Sequence, residues 1–121
     1  MNEVWQLNSE FAVGRLFKKF AERYPREFES CGANLQRLLN FLNSGFQLSV
    51  LAQNLSFFRS EREGLFRIGQ SGVKSAKETR LYVFPHEAGK TVFILDIGTK
   101  ETQHDDIASA RKTIQEIRRN F

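Results

Sequence analysis

From Phe11 the apolar residues Val13, Leu16, Phe17, Phe20 and Tyr24 recur at helical spacing and predict a first helix. Ser9 or Asn8 can cap its start, because a short side-chain oxygen accepts a bond from a free first-turn amide. Pro25 ends or redirects it. A second helical pattern follows in Phe28, Cys31, Leu35, Leu38, Leu39 and Leu42, and Asn43-Ser44-Gly45 closes it. Two helices meeting at a Tyr-Pro step suggest an antiparallel helical hairpin. Trp5 and Leu7, ahead of it, predict a short strand. Over residues 44–62 the apolar positions Leu48, Val50, Leu51 and Leu55 keep no firm period, which predicts a packed connector ending in a turn at Gly64.

The second half changes period. Leu65-Phe66-Arg67-Ile68 is short and apolar with one arginine inside. A polar segment from Gly69 to Glu78 reads as a loop. Arg80-Leu81-Tyr82-Val83-Phe84 is rich in aromatic and branched residues and predicts a strand. Residues 85–90 form the expected hairpin connection. Thr91-Val92-Phe93-Ile94-Leu95-Asp96-Ile97 is apolar on both parities, the pattern of a central strand covered on both faces. After Gly98-Thr99-Lys100 a last helix is marked by Ile107, Ala110, Ile114 and Ile117. Thr102 or His104 is its expected cap. Asp105 and Asp106 in its first turn and Arg118 and Arg119 in its last suit the helix dipole. The fold class expected is α+β: a helical hairpin packed on a small, mainly antiparallel sheet, followed by a C-terminal helix.

Length and composition limit the function. The chain has 121 residues, a size that points to a single domain over 1–121. Its 12 phenylalanines give enough apolar volume for a packed core. One cysteine, Cys31, rules out an internal disulfide and any zinc site with two thiolates. Its place on the apolar stripe of the second helix marks it as a small core residue. Apolar runs are far shorter than the ~20 residues of a membrane span. Met1-Asn2-Glu3 leads into no apolar run, so no secretory signal is expected, and a cytoplasmic setting is. The net charge is +4, with 12 basic and 9 acidic residues in 59–121 against 6 and 5 in 1–58. That bias permits a nucleic-acid partner and equally serves solubility.

Several kinds of chemistry are missing. Gly64, Gly69 and Gly72 do not lead into a phosphate-binding helix, and there is no G-x-S-x-G elbow. His86 and His104 stand 18 positions apart, without the spacing of a helical metal pair. No metal and no cofactor are expected. What remains is a set of cations in or beside the strands: Arg67, Arg80 and Lys100. A guanidinium in an apolar strand must reach water, an acid or an anionic ligand. Arg67 and Arg80 either pair with Glu78, Asp96 or Glu61 on a solvated face, or converge on an anion. A converged cluster can hold a phosphodiester and stabilise charge that develops during its cleavage. Arginine cannot act as a base, so a ribonuclease needs a proton carrier, for which His104 is the candidate.

Three stretches, in order, resemble the RelE/HigB superfamily, the toxins of bacterial type II toxin–antitoxin modules. Gly64-Leu65-Phe66-Arg67-Ile68 is similar to a family strand G-L-Y-R-I/V, and Arg80-Leu81-Tyr82-Val83-Phe84 to the next strand. Phe93 to Gln103, with Asp106-Ile107-x-x-Ala110, resembles the HigB-like ending: an apolar strand, K-x-T-Q, then a helix opening D/E-I-x-x-A. The resemblance implies a RelE-like sheet whose concave face binds mRNA in the ribosomal decoding site. It implies metal-independent attack of a ribose 2′-hydroxyl on the adjacent phosphate, and a cognate antitoxin that masks the toxin. Carried over by position, Lys100 contacts the scissile phosphate while Arg67 and Arg80 position backbone or stabilise charge. Gly69 stands where relatives often carry a second arginine, and Lys74 or Lys77 would substitute in RNA binding. No tyrosine follows Lys100, which leaves His104 as proton donor. The same fold without turnover would be a binding module for a protein partner or RNA.

Overall fold

A computed structural model describes residues 4–74 and 77–121. Positions 75 and 76 of the expected Gly69–Glu78 loop, and residues 1–3 at the chain start, lie outside the described residues. The elements are β1 (Gln6–Asn8), α1 (Gly14–Arg23), α2 (Pro25–Asn43), α3 (Leu48–Asn54), β2 (Phe58–Ser60), β3 (Phe66–Gly69), β4 (Thr79–His86), β5 (Thr91–Thr99) and α4 (Gln103–Asn120), with one 3-10 turn at Lys100–Thr102 before α4. The fold is α+β. The five strands order as β1-β5-β4-β3-β2. Neighbours pair antiparallel except β1, which runs parallel to β5.

Helices cover both faces of the sheet. On one face Leu35, Leu38, Leu39 and Leu42 of α2 pack with Leu48 and Leu51 of α3 against Phe58, Ile68, Leu81, Val83, Val92 and Ile97. On the other, Ala110, Ile114 and Ile117 of α4 pack against Leu65, Tyr82, Phe84, Phe93 and Leu95. This is why β5 is apolar on both parities. A register shift opposite Tyr82 and Val83 lets Leu95 intervene between Ile94 and Asp96, so Tyr82 faces Asp96 while Val83 faces Ile94. Among the described residues no helix is long and apolar enough to cross a membrane.

Several sequence expectations shift. The first helix starts at Gly14, not Phe11, and Val13 caps it without a side-chain bond. Asn8 instead accepts the Glu10 amide at 2.9 Å, and the Ala12 amide bonds Ser9 O at 3.0 Å, so Asn8 and Ser9 build a turn rather than a helix cap. Residues 44–62 are no plain connector: they hold α3 and β2, whose few turns and residues are too short to show a period. The strand expected over residues 80–84, β4, runs through Pro85 to His86, leaving only residues 87–90 as the turn. Thr102 is the N-cap residue of α4, as expected, but it makes no side-chain cap bond to that helix. The capping box lies one turn earlier, where the Thr102 side chain accepts the Thr99 amide at 3.1 Å. Pro25 does not merely stop α1: it occupies the first turn of α2, where its missing N–H has no helical partner to lose.

Candidate functional site

Arg67 and Arg80 reach the same face of the sheet because strand register puts them there. Arg67 pairs with Tyr82, and Arg80 is two residues before Tyr82 on β4, so all three side chains share the α4 face. Arg59 on β2 lies directly opposite Arg67 and joins them. Arg59, Arg67 and Arg80 line one small hollow of about 140 Å³, together with Glu78, Gln70 and Thr79. Gly69 forms part of its wall. A Cβ there would meet only Thr79 O at 3.9 Å and Phe57 O at 4.0 Å, so the bare backbone leaves open room beside Arg80.

Arg80 is only 6% exposed. Its guanidinium donates to Gln103 Oε1 of α4 and to Glu78 Oε1, the latter at 3.1 Å. A buried guanidinium without such partners would be strongly destabilising. Gln103 therefore fastens the first turn of α4 to β4. Arg67 is held by Glu61, with Nε 3.2 Å from Oε1. Lys100 follows β5 directly, and its amide donates to Glu78 O at 3.0 Å, which sets the two residues side by side. Its side chain is 68% exposed, and its ammonium lies 4.0 Å from Glu78 Oε2.

Glu78 is thus the point on which the cations converge. The hydrogen bond from Arg80 holds its carboxyl below the usual range, and the charges of Arg80, Lys100 and Arg67 push the same way. An anion in this position is favoured by all three. Arg67 and Arg80 touch the hollow directly; Lys100 reaches its rim through Glu78 and is not part of the lining.

The other expected residues sit elsewhere. Lys77 turns away to Glu101, 2.7 Å from its Oε1, and that bond raises the lysine's pKa while lowering the glutamate's to about 2. Lys74 is exposed and does not line the hollow. His104 is exposed on the first turn of α4, next to Gln103 but outside the lining. Cys31 is buried in the α2 core, and burial pushes its thiol up to about 12, so it stays protonated and inert. Among the described residues no group of three His, Cys, Asp or Glu side chains could hold a metal ion.

Sequence reasoning missed Arg59, which reads as one more charge in Arg59-Ser60-Glu61-Arg62-Glu63, and the role of Gln103. The K-x-T-Q stretch contains Gln103, so its signal was present, but the partner 23 positions away was not visible. Tyr82 is a further surprise. It is fully buried beside Arg67, and its hydroxyl has no hydrogen-bond partner. Burial, followed by the charge of Asp106, raises its pKa, which keeps the phenol neutral.

Compared with known proteins, no family model matches the chain and no curated protein matches it.

Proposed function

We propose that this protein is a RelE/HigB-type toxin: an mRNA endonuclease that acts on the ribosome in the bacterial cytoplasm, without a metal, and is held in check by a cognate antitoxin. The observation that carries the reading is the convergence on Glu78. A carboxylate there takes a bond from Arg80 and the fields of Lys100 and Arg67. A phosphodiester displacing that carboxylate would meet the same three cations. Arg80 and Arg67 would then grip non-bridging oxygens and stabilise charge as the 2′-hydroxyl attacks. Lys100 would approach from the solvent side. His104, one residue beyond the Gln103 clamp, is the proton carrier of this scheme. The order of strand motifs around Arg67, Arg80 and Lys100 supports the family assignment.

A second reading has its own observation. Arg67, Arg80 and Lys100 each already have a carboxylate neighbour, and His104 stands outside the hollow. That arrangement suits a non-catalytic module that binds RNA or a protein and cleaves nothing.

Induced expression in bacteria, read by growth and by mapped transcript ends, separates the two. The nuclease reading expects arrest and new ends inside translated messages. Lys100→Ala, a change at an exposed position, should leave the fold intact and reduce cleavage roughly 100-fold, the scale of losing one charge-stabilising donor. Undiminished cleavage in that variant removes Lys100 from the scheme. Arrest without new transcript ends favours the binding module.

A further inference from the structure

The register of β2 and β3 sets two arginines face to face. Arg59 and Arg67 are direct cross-strand partners on one face of an antiparallel pair. Like charges so placed repel, and the repulsion destabilises the ladder unless an anion sits between or beside them. Glu61 answers Arg67. Among the described residues nothing answers Arg59. It is exposed, on the outermost strand of the sheet, and among the described residues its guanidinium makes no hydrogen bond or ion pair.

Arg59 also joins two hollows. It lines the 140 Å³ hollow with Arg80, and a second, open hollow of about 650 Å³ that runs past Ser60 to Gln53 and Ser49 of α3. Arg67 lines both as well. The first is smaller than the ~300–1,000 Å³ of sites that take a whole small molecule, so it suits a single anionic group; the second falls within that range. Arg59 and Arg67 are direct cross-strand partners, ~5 Å apart, and Arg80 lies on the diagonal from Arg67, ~7–8 Å away, two residues before Arg67's partner Tyr82. The outcome is a row of guanidinium groups leading from the Glu78 position over the edge strand toward α3, in which Arg80 and Arg67 each have a carboxylate and Arg59 has none among the described residues.

Resting on the RNA reading above, we infer that Arg59 binds a second phosphate of a single-stranded RNA, the one adjoining the phosphate at the Glu78 position, and that the chain leaves the site over β2 into the hollow beside α3. Arg59 is then a positioning residue. It fixes the register of the strand and takes no part in bond breaking. Its lack of a protein partner leaves the guanidinium available to the polyanion.

The test titrates wild type, Arg59→Ala and Arg67→Gln by NMR with UpU, which has one phosphate, and UpUpU, which has two. In wild type the second phosphate should tighten binding roughly tenfold; in Arg59→Ala that gain should vanish while UpU affinity stays within about twofold. With a longer oligouridine, Arg59→Ala should also flatten the slope of log K against log salt by about 0.7. Lys112→Gln, on the exposed side of α4 and lining neither hollow, should change neither readout. A merely structural role for Arg59 would weaken UpU and UpUpU alike. If Arg59→Ala keeps the full length gain while Arg67→Gln loses UpU binding, this inference falls and the RNA reading stands. If wild type binds neither nucleotide nor the oligouridine, both fall together.

Discussion

At the residue scale, burial and pairing push two carboxyls of this protein in opposite directions. Asp96 lies half-buried on β5, and burial pushes its carboxyl up to about 6, although Oδ1 accepts the Ile97 amide at 2.8 Å. The native state therefore holds a proton between about pH 4 and 6 that the unfolded chain has already released. Stability must fall as pH rises through that window, because the unfolded state ionises freely and the native state does not. Asp96→Asn keeps an oxygen for Ile97 and removes the buried charge. It should raise the melting temperature at pH 7 and leave it unchanged at pH 3, flattening the profile between; a profile like that of wild type would show that Asp96 is well solvated. Glu78 shows the opposite case. Its carboxyl is pulled down by Arg80, so on the proposed reading a phosphate must displace a carboxylate that this guanidinium favours in its charged form.

At the element scale the decisive contact joins the end of β5 to the start of α4. Gly98 has its Cα against the Asp106 carboxylate and the Thr102 hydroxyl; a Cβ there would collide with Asp106 Oδ2. Thr102 in turn donates to Asp106 Oδ2 at 2.6 Å, so the 3-10 turn and first turn of α4 are drawn tightly onto the strand. That closeness puts Gln103 within reach of Arg80 and brings Lys100 beside Glu78. Gly98→Ala must push the turn outward. A loss of about 1–3 kcal/mol is expected from such overpacking, measured by urea unfolding. If the proposed RNA reading holds, cleavage or RNA binding should drop by more than the stability loss explains, because the Arg80–Gln103 clamp opens. Unaltered stability would mean that α4 moves without cost and is not clamped.

At the scale of the whole molecule, one sheet separates two cores. The α2–α3 core contains Leu38, wholly buried, and the α4 core contains Ile114, 2% exposed. The sheet lies between them, so Leu38 and Ile114 belong to separate clusters on its two faces. Leu38→Ala and Ile114→Ala should each cost about 2–5 kcal/mol. The double variant should equal their sum within about 0.5 kcal/mol, as distant sites without shared partners behave. A clear deviation, measured by denaturant titration, would show that the sheet transmits packing strain from one layer to the other.

The amino-acid sequence determined the elements whose signal is local. The α2 stripe, the α4 stripe with its charged ends and the doubly apolar β5 follow from side-chain periods of 3.6 and 2, which any packed chain must respect. It also singled out Arg67 and Arg80, because charge inside an apolar strand is conspicuous wherever the strand ends up. Tertiary structure alone decided the rest. α3 and β2 are too short to carry a period of their own and form because the sheet edge and α2 accept them. Arg59 looks like an ordinary solvated charge until register sets it opposite Arg67, and Glu78 becomes the meeting point of the cations only when the ends of β4 and β5 close on each other. Strand register is fixed by contacts between residues far apart in the chain, so no window along the sequence contains it.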